Sequence, residues 1–198
     1  MRDCAGRGSG ATVRHPPARQ RSGDTVSNPA LGDTLTLLAF LYLAVVSVLL
    51  TVIDLRSHRL PDRIVLPSYL VAGALLGLAA VAAGEYSRLL VAGIGLVALW
   101  LFYFLLAVAR PGGMGFGDVK LAGLLGLYLG WLGWGPLVVG ALTAFLLGGI
   151  AATVLLLSRR ASRTSGIPFG PWMLAGAWVG ILAGDAVLRA YLGSFSLT

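Results

Sequence analysis

Long uncharged apolar stretches recur along this chain, and they constrain it more than any other feature. Thr34–Ile53, Ile64–Gly84 and Leu89–Ala109 each carry no charged residue, and neither does Leu121–Ser158. Thr164–Gly184 closes the series. A helix crosses the hydrocarbon core of a bilayer with about 20 apolar residues, because there every backbone N–H and C=O must be satisfied within the segment. Leu121–Ser158 is too long for one crossing. Its Gly133-Trp-Gly-Pro136 cluster is a breaker that should split it in two. The expectation is an all-α, polytopic membrane protein of about six transmembrane helices, the fourth (Val119–Trp134) the shortest.

Composition agrees. Charged residues make up 12% of the chain, against about 25% in soluble domains. The +7 net charge would suggest nucleic acid in a soluble protein. Here the basic residues fall between the apolar runs, which points to cytoplasmic loops and anionic headgroups. No nucleic-acid partner is expected. Cys4 is the single cysteine, too few for an internal disulfide or a four-cysteine zinc site. Residues 1–33 are polar, without the apolar core of a signal peptide. They read as a disordered tail ahead of a membrane domain spanning 34–198, and a later start near Val26 would shorten that tail.

Lysine and arginine set the orientation. Arg56, Arg59 and Arg63 lie in the first loop, Arg110 and Lys120 at the third, and Arg159, Arg160 and Arg163 in the fifth. Among the loops and the C-terminal tail, the opposite side has only Arg88 and Arg189. The N-terminal tail, with Arg2, Arg7, Arg14, Arg19 and Arg21, runs against this bias, and a later start would remove the conflict. Loops one, three and five are therefore expected in the cytoplasm. Small residues four apart (Gly73/Gly77, Gly126/Gly130, Gly176/Gly180 and Gly180/Gly184) suit close helix packing in lipid.

Carboxylates near the bilayer are the place to look for chemistry, because burying them is costly. Of eight acids, Asp3 and Asp24 lie in the tail. Asp33 reads as a helix N-cap, and Glu85 and Asp185 as solvated acids at outer helix ends. Asp54, Asp62 and Asp118 remain. Asp54 ends the first helix and Asp118 starts the fourth, on the same membrane face by the charge rule. Two neighbouring carboxylates share a proton, so one can act as base on a water and the other as acid toward a carbonyl oxygen. Gly115 and Gly117 beside Asp118 offer positive φ and room for a substrate strand. Lys120 could steady the carboxylate or snorkel to headgroups. Arg56 could hold Asp54. Asp62 could bind a basic substrate or pair with Arg59 or Arg63. His58 and His15 read as solvated, and Trp131, Trp134 and Trp172 as interface or packing residues. No metal or other cofactor is called for.

Three segments carry a family resemblance. Asp54-Leu-Arg-Ser-His-Arg-Leu-Pro-Asp62 resembles the first aspartate motif of bacterial prepilin peptidases. Gly113-Met-Gly-Phe-Gly-Asp-Val-Lys120 resembles their second, the GxGD signature shared with presenilin-type proteases. Ile167-Pro-Phe-Gly-Pro171 is similar to a further signature at the last helix. The resemblance implies a membrane aspartic endopeptidase of the GxGD type, with Asp54 and Asp118 catalytic. It would remove short basic leaders ending in Gly from type IV prepilin or pseudopilin precursors at the cytoplasmic face of the plasma membrane. The first motif departs from the family at Asp62, where Asn is usual. With one cysteine and no N-terminal cytoplasmic region, the chain resembles the short, protease-only form, with N-methylation left to another protein. The alternative from the residues alone is a small proton-coupled transporter, or a non-catalytic pilus-assembly protein, using the same acids.

Overall fold

The computed structural model describes residues 28–57, 60–109, 115–157 and 169–195. The tail through residue 27, with Cys4 and His15, lies outside them. So do His58, Arg59, Arg110, Gly113, Met114, Arg159, Arg160, Arg163, Ile167 and Pro168.

Six helices follow one another: α1 (Pro29–Ser57), α2 (Asp62–Ala83), α3 (Tyr86–Ala109), α4 (Phe116–Leu132), α5 (Trp134–Leu157) and α6 (Gly170–Phe195). Their ends obey local chemistry. Asn28 caps α1, its Oδ1 accepting the Leu31 N–H at 3.2 Å, and Pro29 takes the first helical position, where a missing N–H costs nothing. Asp33 is thus not the N-cap expected from the sequence; it is an exposed residue inside α1. Asp62 stands in the first turn of α2, where the helix dipole favours an acid. Gly84 ends that helix in the left-handed region at φ 74°, as a C-terminal glycine does. Gly133, at φ 123°, alone separates α4 from α5. The other members of the breaker cluster enter the first turn of α5, where Pro136 is tolerated.

Five of the helices, α1, α2, α3, α5 and α6, are long and apolar enough to cross a membrane. At 17 residues, α4 is about 25 Å long, short of the ~30 Å hydrocarbon core. It sits in the middle of the bundle. α1 packs mainly on α2, α3 on α4, and α5 on α6, while α4 also meets α2, α5 and α6. Lipid-facing leucines such as Leu70, Leu90 and Leu182 are more than two-thirds exposed. Such a surface is untenable in water and ordinary in lipid.

Glycine decides how close the helices come. A side chain at Gly126 or Gly130 would run into the backbone of α3 at Gly95, Val91 and Ala92. Gly176, Gly180 and Gly184 likewise lie against Ala144, Gly140 and Pro136 of α5. The fourth spaced pair behaves differently: at Gly73 and Gly77 a Cβ would meet nothing within 4 Å. Buried polar groups add ties between helices. Tyr128 donates to the Ala39 carbonyl at 3.1 Å, and Tyr42 and Ser68 share a hydrogen bond of 3.0 Å.

Candidate active site

Asp54 lies three residues before the end of α1 and is 3% exposed. Asp118 lies in the first turn of α4 and is 8% exposed. Both stand at the same end of the bundle. Gly170, the first residue of α6, explains why Asp54 can be buried there: a Cβ on that glycine would be 2.7 Å from the Asp54 carboxylate. Leu60, in the connection between α1 and α2, closes the gap between the two acids. Its Cβ lies 2.9 Å from where a Gly117 Cβ would be, and its Cδ1 3.6 Å from that of Gly170. The charge on Asp54 acts on Asp118. Residues 64 positions apart in sequence are therefore both buried at one end of the bundle, within electrostatic reach of each other.

The start of α4 positions Asp118. Its N–H donates to the Gly115 carbonyl at 3.1 Å, and its Oδ2 lies 3.8 Å from the place a Gly115 side chain would fill. The two glycines act otherwise than the sequence suggests. Gly115 has φ −76°, and Gly117 is helical, outside the positive-φ glycines. Positive φ is not their role. Gly117 is needed because Leu60 of the flanking connection fills the space over it, while the space at Gly115 is open apart from the Asp118 carboxylate.

Lys120 and Asp62 answer to each other. The Lys120 ammonium reaches both Asp62 oxygens, at 2.7 and 2.8 Å. The sequence alone points Asp62 toward the substrate's basic residues or the loop arginines, of which Arg59 lies outside the described residues; in the structure Asp62 pairs with the lysine two residues beyond Asp118. The Tyr69 hydroxyl donates to the Lys120 carbonyl, so α2 holds the first turn of α4 twice. Both members of the ion pair are partly exposed, which makes the bridge a modest tether. Arg56 is exposed on the last turn of α1. Two residues on from Asp54, it projects from a different side of the helix. Of the remaining acids, Glu85 is not simply solvated: it pairs with Arg88 at 2.8 Å.

Three residues near the acids gain a role only from the structure. Leu60 and Gly170 lie inside the quoted motifs, yet as an apolar residue and a glycine they carry no chemical signal of their own, and only their places beside the acids give them a role. Tyr103 of α3 is 2% exposed, within electrostatic reach of Asp118 and 6.1 Å, ring to ring, from Phe169. In the sequence it is one aromatic among several in an apolar run. Among the described residues no three His, Cys, Asp or Glu side chains gather as a metal site.

A multi-pass helical membrane protein with two buried aspartates meeting at one end of its bundle is the class the fold and site define. The chain belongs to the type IV leader peptidase family, which matches residues 41–157. It is 38% identical over 160 residues to the prepilin leader peptidase/N-methyltransferase of Aeromonas hydrophila, covering 80% of this chain and 53% of that protein. It is 40% identical over 163 residues to the protein of the same name from Aeromonas salmonicida, covering 79% and 53%. The corresponding Pseudomonas aeruginosa protein is 35% identical over 144 residues, covering 72% and 48%. The chain thus spans about half the length of the curated relatives it matches. No solved structure matches it.

Proposed function

We propose that this protein is an aspartic endopeptidase that removes the basic leader of type IV prepilins or pilin-like precursors. The observation that carries the reading is the convergence of Asp54 and Asp118, both buried at the end of the bundle where their helices stop and start and within electrostatic reach of each other. Family membership supports the substrate class, since the matching relatives are prepilin leader peptidases.

The chemistry needs one water and one proton held between the acids. The ionised carboxylate takes a proton from the water as its oxygen attacks the scissile carbonyl carbon. The protonated carboxyl gives its proton to the carbonyl oxygen, so the tetrahedral intermediate forms as a neutral diol. Collapse breaks the C–N bond. The amine leaves with a proton from the first acid, and the second recovers its own from the diol. Atoms and charge balance without a covalent intermediate. Asp54 and Asp118 are the proposed catalytic residues. Gly115, Gly117 and the Lys120–Asp62 pair position the start of α4, and Arg56 stands at the exposed rim of the site.

The site faces the cytoplasm in this reading. Arg56 and Arg63 flank the connection that bears Leu60, and Lys120 lies on the same end of the bundle; this is the charge bias of cytoplasmic loops in a plasma-membrane protein.

Co-expression with a precursor carrying a short basic leader ending in Gly before an apolar helix tests the proposal. The wild-type chain shortens the precursor by its leader, and the Asp118→Ala chain, inserted to the same level, does not. Unprocessed precursor with both chains, or processing by both, overturns it.

A further inference from the structure

A groove of about 460 Å³ opens between α1 and α6 toward the lipid, and one end of it lies within a helical turn of Asp54. Thr51 and Val52 of its α1 wall lie within a turn of Asp54. Pro171 of its α6 wall follows Gly170, the glycine on which the Asp54 carboxylate rests. The groove therefore runs from the bilayer toward the buried Asp54 and stops short of its carboxylate. The approach along the Asp118 helix is closed, because α4 is buried along most of its length among α2, α3, α5 and α6.

Its walls suit a helix. On α1 the lining runs from Ala44 through Val48 to Thr51, and on α6 from Pro171 through Ala175 to Trp178. Each wall recurs at i, i+4, i+7, one helical face, and extends about 10 Å along its axis. Small residues line much of it. Helices in lipid associate through close packing on small residues, since lipid tails supply no hydrophobic drive between apolar surfaces. The floor is fixed by its own hydrogen bonds. Trp178 donates from Nε1 to the Ser47 hydroxyl at 3.2 Å, and Ser47 donates to the Leu43 carbonyl at 2.7 Å. The indole N–H and the Ser47 hydroxyl are thus satisfied, so an apolar occupant strands neither.

We infer that the α1–α6 groove seats the apolar helix of the precursor, aligning the peptide bond at the helix's cytoplasmic end with Asp54 and Asp118. This deepens the peptidase reading and rests on it. A segment lying in the groove brings the residue at its end to within a helical turn of Asp54, a place that a lipid chain or a second copy of this protein would only obstruct.

Two substrates separate the ideas. One peptide carries the basic leader, the cleavage site and a 20-residue apolar helix; the other stops a few residues past the cleavage site. Val48→Trp and Ala175→Trp fill the groove from positions that face lipid. Ile150→Trp fills a groove of about 400 Å³ formed by α5 alone and serves as control. The expected result is a KM raised about tenfold for the helix-bearing peptide with kcat retained, no change for the short peptide, and no effect of Ile150→Trp. Equal loss on both peptides, or no loss on either, overturns the groove while leaving the peptidase reading standing. Failure of the wild type to cut either peptide overturns the peptidase reading itself.

A second measurement reads docking without cleavage. In a Cys4→Ser, Asp118→Asn chain, Val48→Cys is expected to form a disulfide with a cysteine placed on the apolar helix of the peptide, and Ile150→Cys is not. A Val48→Cys disulfide between two copies of the chain, or none with the peptide, rejects the inference.

Discussion

Asp118 and Asp54 stand on helices with opposite surroundings. α4 is enclosed: from Val119 to Trp131 nearly every residue is buried, with Leu121, Ala122 and Leu124 at 0% exposure. α1 is half a lipid-facing helix, with Val45 and Val48 each 68% exposed. The enclosed helix can be short, because protein rather than lipid satisfies its ends and no hydrocarbon thickness has to be matched. It supplies a fixed acid. The outer helix supplies an acid beside a seam open to the bilayer. In the proposed peptidase one carboxylate has to be held still and a membrane-borne chain admitted, and the structure offers enclosure on one helix and an open seam on the other.

The largest effect should come from erasing either acid. Asp54→Asn and Asp118→Asn each are expected to reduce leader cleavage by at least about 10³-fold, with insertion unchanged by membrane fractionation. Substantial processing by one of them would show that the acids do not act as a pair. A pH–rate profile sharpens the point: a shared proton gives a bell with two limbs that belong to the pair, and cleavage that rises monotonically with pH would contradict it.

Next comes the packing that encloses α4. Gly126→Leu drives a side chain into the α3 backbone at Gly95. Such overpacking costs about 1–3 kcal/mol or more, enough to lower the melting temperature in detergent markedly. Gly73→Leu, identical chemistry on the open face of α2, should stay within about 0.5 kcal/mol of wild type. Equal effects would mean that the enclosure of α4 is not what distinguishes the two glycines.

Gly170→Ala probes the other side of the comparison. The added methyl meets the Asp54 carboxylate, which has to turn away. A misplacement of about 1 Å is worth about 100-fold in rate, so activity should fall by that order while stability changes little.

The smallest effect belongs to the Lys120–Asp62 bridge. Both partners are partly exposed, so Asp62→Ala should cost less than about 1 kcal/mol, and added salt should shrink that difference. A double-mutant cycle with Lys120→Ala gives the coupling directly.

Much of this is legible in the sequence. Uncharged runs near 20 residues locate the helices, because in lipid a run of that length has no other way to satisfy its backbone. The acids stand out for the converse reason, as costly groups at the ends of apolar runs. Helix ends are less legible. Asp33 has the chemistry of a cap, but Asn28 and Pro29 start α1 five residues earlier. Equal glycine spacings look alike at Gly73/Gly77 and Gly126/Gly130, although only the second pair meets another helix.

The sequence by itself determined that the chain is a bundle of membrane helices with acids at the end of the first and the start of the fourth, since hydrophobic length and charge placement are properties of a segment alone. Only the tertiary structure decided that α4 lies inside the bundle, that Leu60 and Gly170 seat the acids, and that Asp62 answers Lys120. Those are contacts between segments far apart in the chain, and which surfaces meet depends on the shape of every helix at once, which no local pattern records.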